Sequence, residues 1–120
     1  IIGSYGASFH SIYALKAAVE SEWPQVLFVR FNDTGTLMDH YPNVVAPLLH
    51  RARKDGKGVV GMKIFGGGKT VQQEQRESSL RFVLASNALD MMTVGFGGQA
   101  EFDDTVARMK RIATELAEAN

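Results

Sequence analysis

Two glycine-rich segments are the part of this chain whose residue types and spacing suit ligand binding. Gly66-Gly67-Gly68 precedes Lys69, and Gly95 is followed by Gly97 and Gly98. Each segment follows a strand-like run, and the second leads into an amphipathic helix. Glycine lets a backbone approach an anion closely, and the free N–H groups of a helix's first turn point at it. The segments predict a nucleotide or dinucleotide site, although tight turns alone also explain the glycines.

The sequence Gly68-Lys69-Thr70 invites comparison with the end of a nucleoside-triphosphate P-loop, and the comparison fails. That motif requires a glycine where this chain has Lys63. It also requires a helix directly after Thr70, whereas residues 71–78 are polar and lack an apolar period, which predicts a loop.

Other catalytic or metal-binding constellations are missing from the sequence. His10, His40 and His50 are too widely spaced to suggest a metal site, and no two carboxylates are placed for general acid and base catalysis. No serine lies in a G-x-S-x-G context. The sequence therefore predicts a ligand-binding edge with no catalytic residue and no metal ligand of its own.

Four strand-like runs alternate with helical patterns and would position these segments. Strands are predicted over residues 1–7, 25–31, 59–65 and 91–95, and helices begin after Ser11, after Asn43, at Ser79 and at Gln99. In the last helix, residues 99–117, the predicted buried face consists of Phe102, Val106, Met109, Ile112 and Leu116.

The order βαβαβαβα predicts an α/β fold with parallel strands, because such connections are almost always right-handed. Two architectures fit it: an open four-stranded sheet with helices on both faces, and one half of a (β/α)8 TIM barrel. Arg30 and Lys63 are charged residues near the carboxyl ends of otherwise apolar strands, where a barrel places ligand-binding side chains. They favour the half-barrel, although cations that reach the surface explain them as well.

Composition excludes several classes of protein. The chain has 120 residues, of which 45% are hydrophobic and 22% charged, as expected for one globular segment. A formal net charge of zero argues against nucleic-acid binding, and no apolar stretch approaches the roughly 20 residues that span a membrane. The absence of cysteine is compatible with the cytoplasm, but the localisation stays open.

Several runs in order resemble the carboxyl-terminal half of an aldo/keto reductase. They are Gly6-Ala7-Ser8, Arg30-Phe31-Asn32, residues 58–68, residues 79–84, and Met92-Thr93-Val94-Gly95-Phe96 before the last helix. The resemblance spans the whole chain, residues 1–120, and implies strands five to eight of the barrel. It also implies hydride transfer between NADP or NAD and a small carbonyl or alcohol.

The resemblance assigns cofactor-binding positions residue by residue. Ser8 would hold the nicotinamide carboxamide. Met62 replaces the aromatic residue that stacks on the nicotinamide in many members of the family. Gly66, Gly67, Gly68 and Lys69 match the loop that borders the pyrophosphate, and Lys63 is also expected to bind the cofactor. The positions implied for the adenosine phosphate end are Gly95, Gly97, Gly98, Glu101 and Thr105.

The family's catalytic aspartate, tyrosine, lysine and histidine lie in its first four βα units, which have no counterpart here. The chain is thus expected to be a fragment, inactive alone, that supplies the cofactor-binding half of an oxidoreductase and self-associates when isolated. Two alternatives stay open: a non-catalytic nucleotide- or phosphate-binding βα module, and a purely structural half-barrel.

Overall fold

Largely apolar runs form the strands, and the β-branched residues of these runs are the valines of the middle two strands. In the computed structural model, which describes residues 1–120, the strands are β1 (Gly6–Phe9), β2 (Val26–Arg30), β3 (Gly58–Met62) and β4 (Met91–Met92). The helices are α1 (Ile12–Glu20), α2 (Pro42–Lys54), α3 (Gln73–Ser86) and α4 (Gln99–Glu118), and Gly66–Gly68 forms a 3-10 turn. The predicted α/β order is confirmed.

The four strands form one parallel sheet in the order β1-β2-β3-β4. Leu27 of β2 pairs with Ala7 on one side and Val59 on the other, whereas Phe28 pairs with Ser8 and Val60. Because side chains alternate along a strand, these two rows lie on opposite faces of the sheet.

One face of the sheet carries the hydrophobic core. A cluster of 16 buried residues joins Leu27, Val29 and Val59 of the strands to side chains from all four helices, among them Leu15 and Leu49. A sequential parallel sheet with right-handed connections places every helix on the same side. The helices therefore cover one face only, unlike the open-sheet alternative, which has helices on both.

The opposite face has no helix against it. Ser8 is exposed and Phe28 and Met62 are only partly buried. Val60 is buried, yet it stands outside the core cluster. Phe28 and Val60 thus pair across neighbouring strands on a face that no helix of this chain covers.

The prediction of a loop over residues 71–78 is wrong from Gln73 onward. Helix α3 begins at Gln73 rather than Ser79, because Gln72 N–H donates to Gln75 Oε1 and so closes the first turn. The polar turn is then held by ion pairs from Arg76 and Glu77 to α4. These contacts between helices replace the apolar period on which the prediction relied. Helix α3 ends at Ser86, and its cap residue Asn87 has the left-handed conformation that ends helices.

The faces and ends of other elements also differ from expectation. Phe102 is exposed, and Thr105 and Ile112 are the buried residues of α4. The cap of α2 is Tyr41 rather than Asn43. The third strand stops at Met62 because Lys63 has a φ of 58°, which no strand residue adopts.

Other strand ends shift as well, since β1 lies at Gly6–Phe9 instead of residues 1–7 and β4 is confined to Met91–Met92. The expected cap of α1 is confirmed, with Ser11 Oγ accepting from Ala14 N–H. None of the helices combines the length and apolarity needed to cross a membrane.

Candidate functional site

A cleft of about 580 Å³ opens where β3 and β4 end. Met62 and Lys63 line it from the end of β3, and Gly95 lines it from the segment after β4. The first turns of α4 contribute Glu101 and Thr105. The size is in the range of pockets that hold small ligands, and the carboxyl edge of a parallel sheet is where such folds bind them.

The glycine segment after β3 is shaped by a buried asparagine from the neighbouring strand's loop. Asn32, 1% exposed, donates from Nδ2 to the carbonyl oxygens of Lys63 and Thr36, both at 2.9 Å. Its Oδ1 accepts from Gly35 N–H at 2.8 Å and from Thr34 Oγ1 at 3.2 Å. Each polar atom of the amide is thus used, which fixes the backbone where Lys63 turns into the left-handed region.

After Ile64 and Phe65, the backbone returns to positive φ values at the three glycines. Gly66, Gly67 and Gly68 have φ values of 58°, 65° and 89°. A Cβ on Gly67 would lie 2.8 Å from Leu37 Cδ1, so both the dihedral angle and the space favour glycine there. Gly67 and Gly68 line the cleft, whereas Gly66 is buried behind it against Thr36.

Helix α3 is positioned over the cleft by a buried hydroxyl and by Arg76. Ser79, fully buried, donates to the carbonyl oxygen of Ile64 at 2.6 Å. One turn earlier, Arg76 lines the cleft, with its Cζ 5.8 Å from the centroid of the Phe65 ring. A guanidinium at this distance from an aromatic face is stabilised by the quadrupole of the ring.

Arg76 contacts α4 through its Nη2 atom. This nitrogen donates to Asp104 Oδ2 at 2.5 Å and lies 3.4 Å from Thr105 Oγ1 and 3.5 Å from the Glu101 carbonyl oxygen. Nε and Nη1 of the same guanidinium make no hydrogen bond to the protein. The side chain is 15% exposed. A well-oriented guanidinium therefore keeps two donor groups unused beside the cleft.

Asp104 belongs to an ion-pair network between α3 and α4. The network consists of four arginines and three carboxylates: Arg76, Arg81, Arg108, Arg111, Glu77, Asp104 and Glu115. Its formal charge is one positive unit. Arg76 is its only member among the residues that line the cleft.

The arginines keep these carboxylates ionised. The hydrogen bond from Arg111, with those from Arg108 and Arg81, lowers the pKa of Glu77 from 4.5 to about 2. The pKa of Asp104 is also lowered, first by the hydrogen bond from Arg108 and then by the charge of Arg76. The anchor of Arg76 is thus a carboxylate that stays charged well below neutral pH.

In the second glycine segment, a backbone N–H group is hydrogen-bonded to a side chain of the helix that follows, α4. Glu101 Oε2 accepts the backbone N–H of Gly97 at 2.7 Å, and Gly98 is the cap residue of α4. The Phe96 ring packs edge-on against Phe102, with centroids 5.3 Å apart. A carboxylate of the chain itself thus accepts the free N–H group of Gly97.

The predicted cofactor residues divide between the cleft and other places. The cleft unites Met62, Lys63, Gly67, Gly68, Gly95, Glu101 and Thr105. Gly66, Gly97 and Gly98 adjoin it in the chain without lining it. Ser8 lies within β1 on the uncovered face, beside a shallow depression formed with Phe28. The binding role of each of these residues stays a prediction.

Other charged side chains at the sheet's carboxyl edge do not line the cleft. Arg30 pairs with Asp39, which is 4% exposed, and reaches the carbonyl oxygen of His10 at 3.4 Å. Arg30 is therefore engaged in a buried ion pair rather than offered to a ligand in the cleft. No group of three or more His, Cys, Asp or Glu side chains is placed to hold a metal ion.

Sequence reasoning missed Arg76, Phe65 and Thr93 among the cleft residues. Arg76 was missed because residues 71–78 were predicted to be a loop, which gave its side chain no direction. Gln72 and Gln75 have the three-residue spacing of a capping box, and this spacing could have indicated that a helix begins there.

Comparison with known proteins adds no further assignment. No protein-family model matches this chain, and no curated protein matches it. The resemblance to aldo/keto reductases therefore stays a prediction from the residues.

Proposed function

We propose that this chain is the cofactor-binding half of an NAD(P)H-dependent aldo/keto reductase. In this proposal it holds NADP or NAD for the reduction of a small carbonyl compound or the oxidation of an alcohol. The carbonyl-polarising groups come from a part of the parent protein outside these residues. The observation that carries the proposal is the single cleft that brings together Lys63, Gly67 and Gly95 with Glu101 and Thr105.

The chemistry of the cleft suits a dinucleotide. Lys63 and Arg76 supply positive charge for phosphates, and left-handed glycines allow close backbone approach. Met62 and Phe65 offer apolar surface for a flat ring. Glu101 supplies an acceptor that suits a ribose hydroxyl.

The architecture supports the half-barrel form of the proposal. A barrel places helices outside and packs the inner faces of its strands against one another. In this chain, helices cover one face of the sequential parallel strands, and the row Ser8, Phe28 and Val60 lies on the other face. This arrangement is expected for half of such a barrel. The parent enzyme would complete the inner face with its other strands.

Equilibrium binding tests the proposal. The intrinsic fluorescence of NADH and NADPH, titrated with the chain, should rise or shift as the nicotinamide enters an apolar site. Adenosine, which lacks phosphate and nicotinamide, serves as the matched control and should bind far more weakly. Failure of both dinucleotides to bind would contradict the proposal.

Turnover separates the proposal from a complete enzyme. With a panel of aldehydes and ketones, the chain alone should oxidise the nicotinamide far more slowly than about 1 per second, because none of its residues is placed to protonate a carbonyl oxygen. Turnover at or above that rate would contradict the half-barrel assignment. Tight nucleotide binding by a parent protein without reductase activity would instead favour the non-catalytic binding module.

A further inference from the structure

We propose that Arg76 is the residue that binds the pyrophosphate of the nucleotide in the cleft. The inference rests on the proposed function and deepens it, since the resemblance assigns no role to this residue. Arg76 projects from the first turns of α3, an element that the sequence pattern alone did not reveal.

The hydrogen bonds of Arg76 leave a specific part of its guanidinium free. Every contact to α4, with Asp104, Thr105 and the Glu101 carbonyl oxygen, uses Nη2. Nε and Nη1 of the same planar group have no protein partner. The N–H groups of these two nitrogens can each donate a charge-assisted hydrogen bond to a phosphate oxygen.

The guanidinium is also held before any ligand arrives. Asp104 fixes one end of the group, and the Phe65 ring lies 5.8 Å from its Cζ. Asp104 is shared with Arg108, so the ion-pair network retains its excess positive charge instead of neutralising Arg76. A cation that is already oriented loses less side-chain entropy on binding than a mobile lysine does.

The other anion-binding groups of the cleft are less suited to this role. Lys63 is an exposed side chain, and the lysine ammonium is a flexible point charge. The Gly97 N–H is already bonded to Glu101. Arg76 is consequently the cleft's one ordered cation with unused donors, and it lies between Phe65 and Thr105, so a pyrophosphate there would join the two ends of a dinucleotide along the cleft.

Calorimetric titration of the full chain with ADP, AMP, NADH and NADPH tests the inference. The variant Arg76→Gln should weaken ADP, NADH and NADPH binding alike by roughly 10- to 100-fold, as expected for loss of charge-assisted hydrogen bonds, and AMP binding by less. Arg76→Lys, which keeps the charge without the planar fork, should fall between. The matched control is Arg81→Gln, also on α3 and in the same network, but not lining the cleft.

The outcomes are distinct. Unchanged ADP binding in Arg76→Gln would overturn the inference, and so would an equal loss in Arg81→Gln, because the effect would then come from the α3–α4 contact. A loss confined to NADPH would overturn the pyrophosphate assignment by placing Arg76 at the 2′-phosphate. ADP binding that depends on Arg76, with no binding of NADH or NADPH, would support the inference while contradicting the proposed function. Circular dichroism of each variant checks that the fold is kept.

Discussion

Glu101 Oε2 accepts a hydrogen bond from the backbone N–H of Gly97 at 2.7 Å, across the first turn of α4. The carboxylate thereby occupies the position that an anion would take at the amino end of this helix. The negative charge of this carboxylate repels a second anion that approaches the same helix end. This contact bears directly on which dinucleotide the cleft accepts.

Glu101 is expected to favour NADH over NADPH, because its carboxylate repels a 2′-phosphate and can accept a hydrogen bond from a free 2′-hydroxyl. Glu101→Arg should move the ratio of dissociation constants towards NADPH by about 1–3 kcal/mol, roughly 5- to 150-fold. Fluorescence titration of both cofactors measures the ratio, preferably in the intact parent protein.

The matched control for that charge reversal is Asp103→Arg. Asp103 is exposed on the same helix, bonded to Gln99 Nε2, and does not line the cleft. An unchanged ratio in Glu101→Arg, or an equal shift in both variants, would mean that Glu101 does not face the ribose.

Gly67→Ala should destabilise the chain by about 1–3 kcal/mol and weaken ligand binding. The cost arises because alanine is strained at a φ of 65° and its Cβ would lie 2.8 Å from Leu37 Cδ1. Urea unfolding measures the change. Gly95→Ala serves as the control, since its Cβ would meet nothing within 4 Å. Equal stability of the two variants would contradict this account of the segment.

Stability should fall at acidic pH through Glu77. Its folded-state pKa of about 2 lies below the ordinary 4.5, so its stabilising contribution is complete above about pH 4.5 and is lost as the pH falls towards 2. Allowing for solvent screening of a partly exposed network, we expect Glu77→Gln to cost about 1–2 kcal/mol at pH 7 and much less at pH 2.

Urea unfolding of Glu77→Gln across that pH range, compared with Glu74→Gln, measures the effect. Glu74 is exposed on the first turn of the same helix and has no ion-pair partner. A cost that is the same at pH 7 and pH 2 would contradict the role of the arginine contacts.

The isolated chain is expected to self-associate through the uncovered sheet face and the free edges of β1 and β4. Size-exclusion chromatography with light scattering should show dimers or larger species, and Phe28→Glu should shift them towards monomer. Tyr13→Glu is the control, because Tyr13 is an exposed aromatic residue on α1, which packs on the covered face. A stable wild-type monomer that unfolds cooperatively would contradict this expectation and show that the chain is stable without covering its open sheet face.

The resemblance and the sheet pattern predicted much of the candidate site but not its cation. Alternation of apolar runs led to the βαβαβαβα order, because strand and helix periods are local properties of the chain. Parallel connections then place strand ends together, which is why Lys63, Gly67 and Gly95 were expected near one ligand. The prediction failed at α3 and Arg76, where stability comes from ion pairs to a helix about 30 residues away.

By itself, the sequence determined the α/β class, the parallel order of the strands and the glycine segments at their carboxyl ends, since each follows from local periodicity and turn chemistry. Tertiary structure alone decided the rest. It placed every helix on one face of the sheet and oriented Arg76 between Phe65 and Asp104. It also brought the Glu101 carboxylate into hydrogen-bonding contact with Gly97 N–H. These features depend on which side chains meet in space, and local pattern carries no information about partners that packing alone brings together.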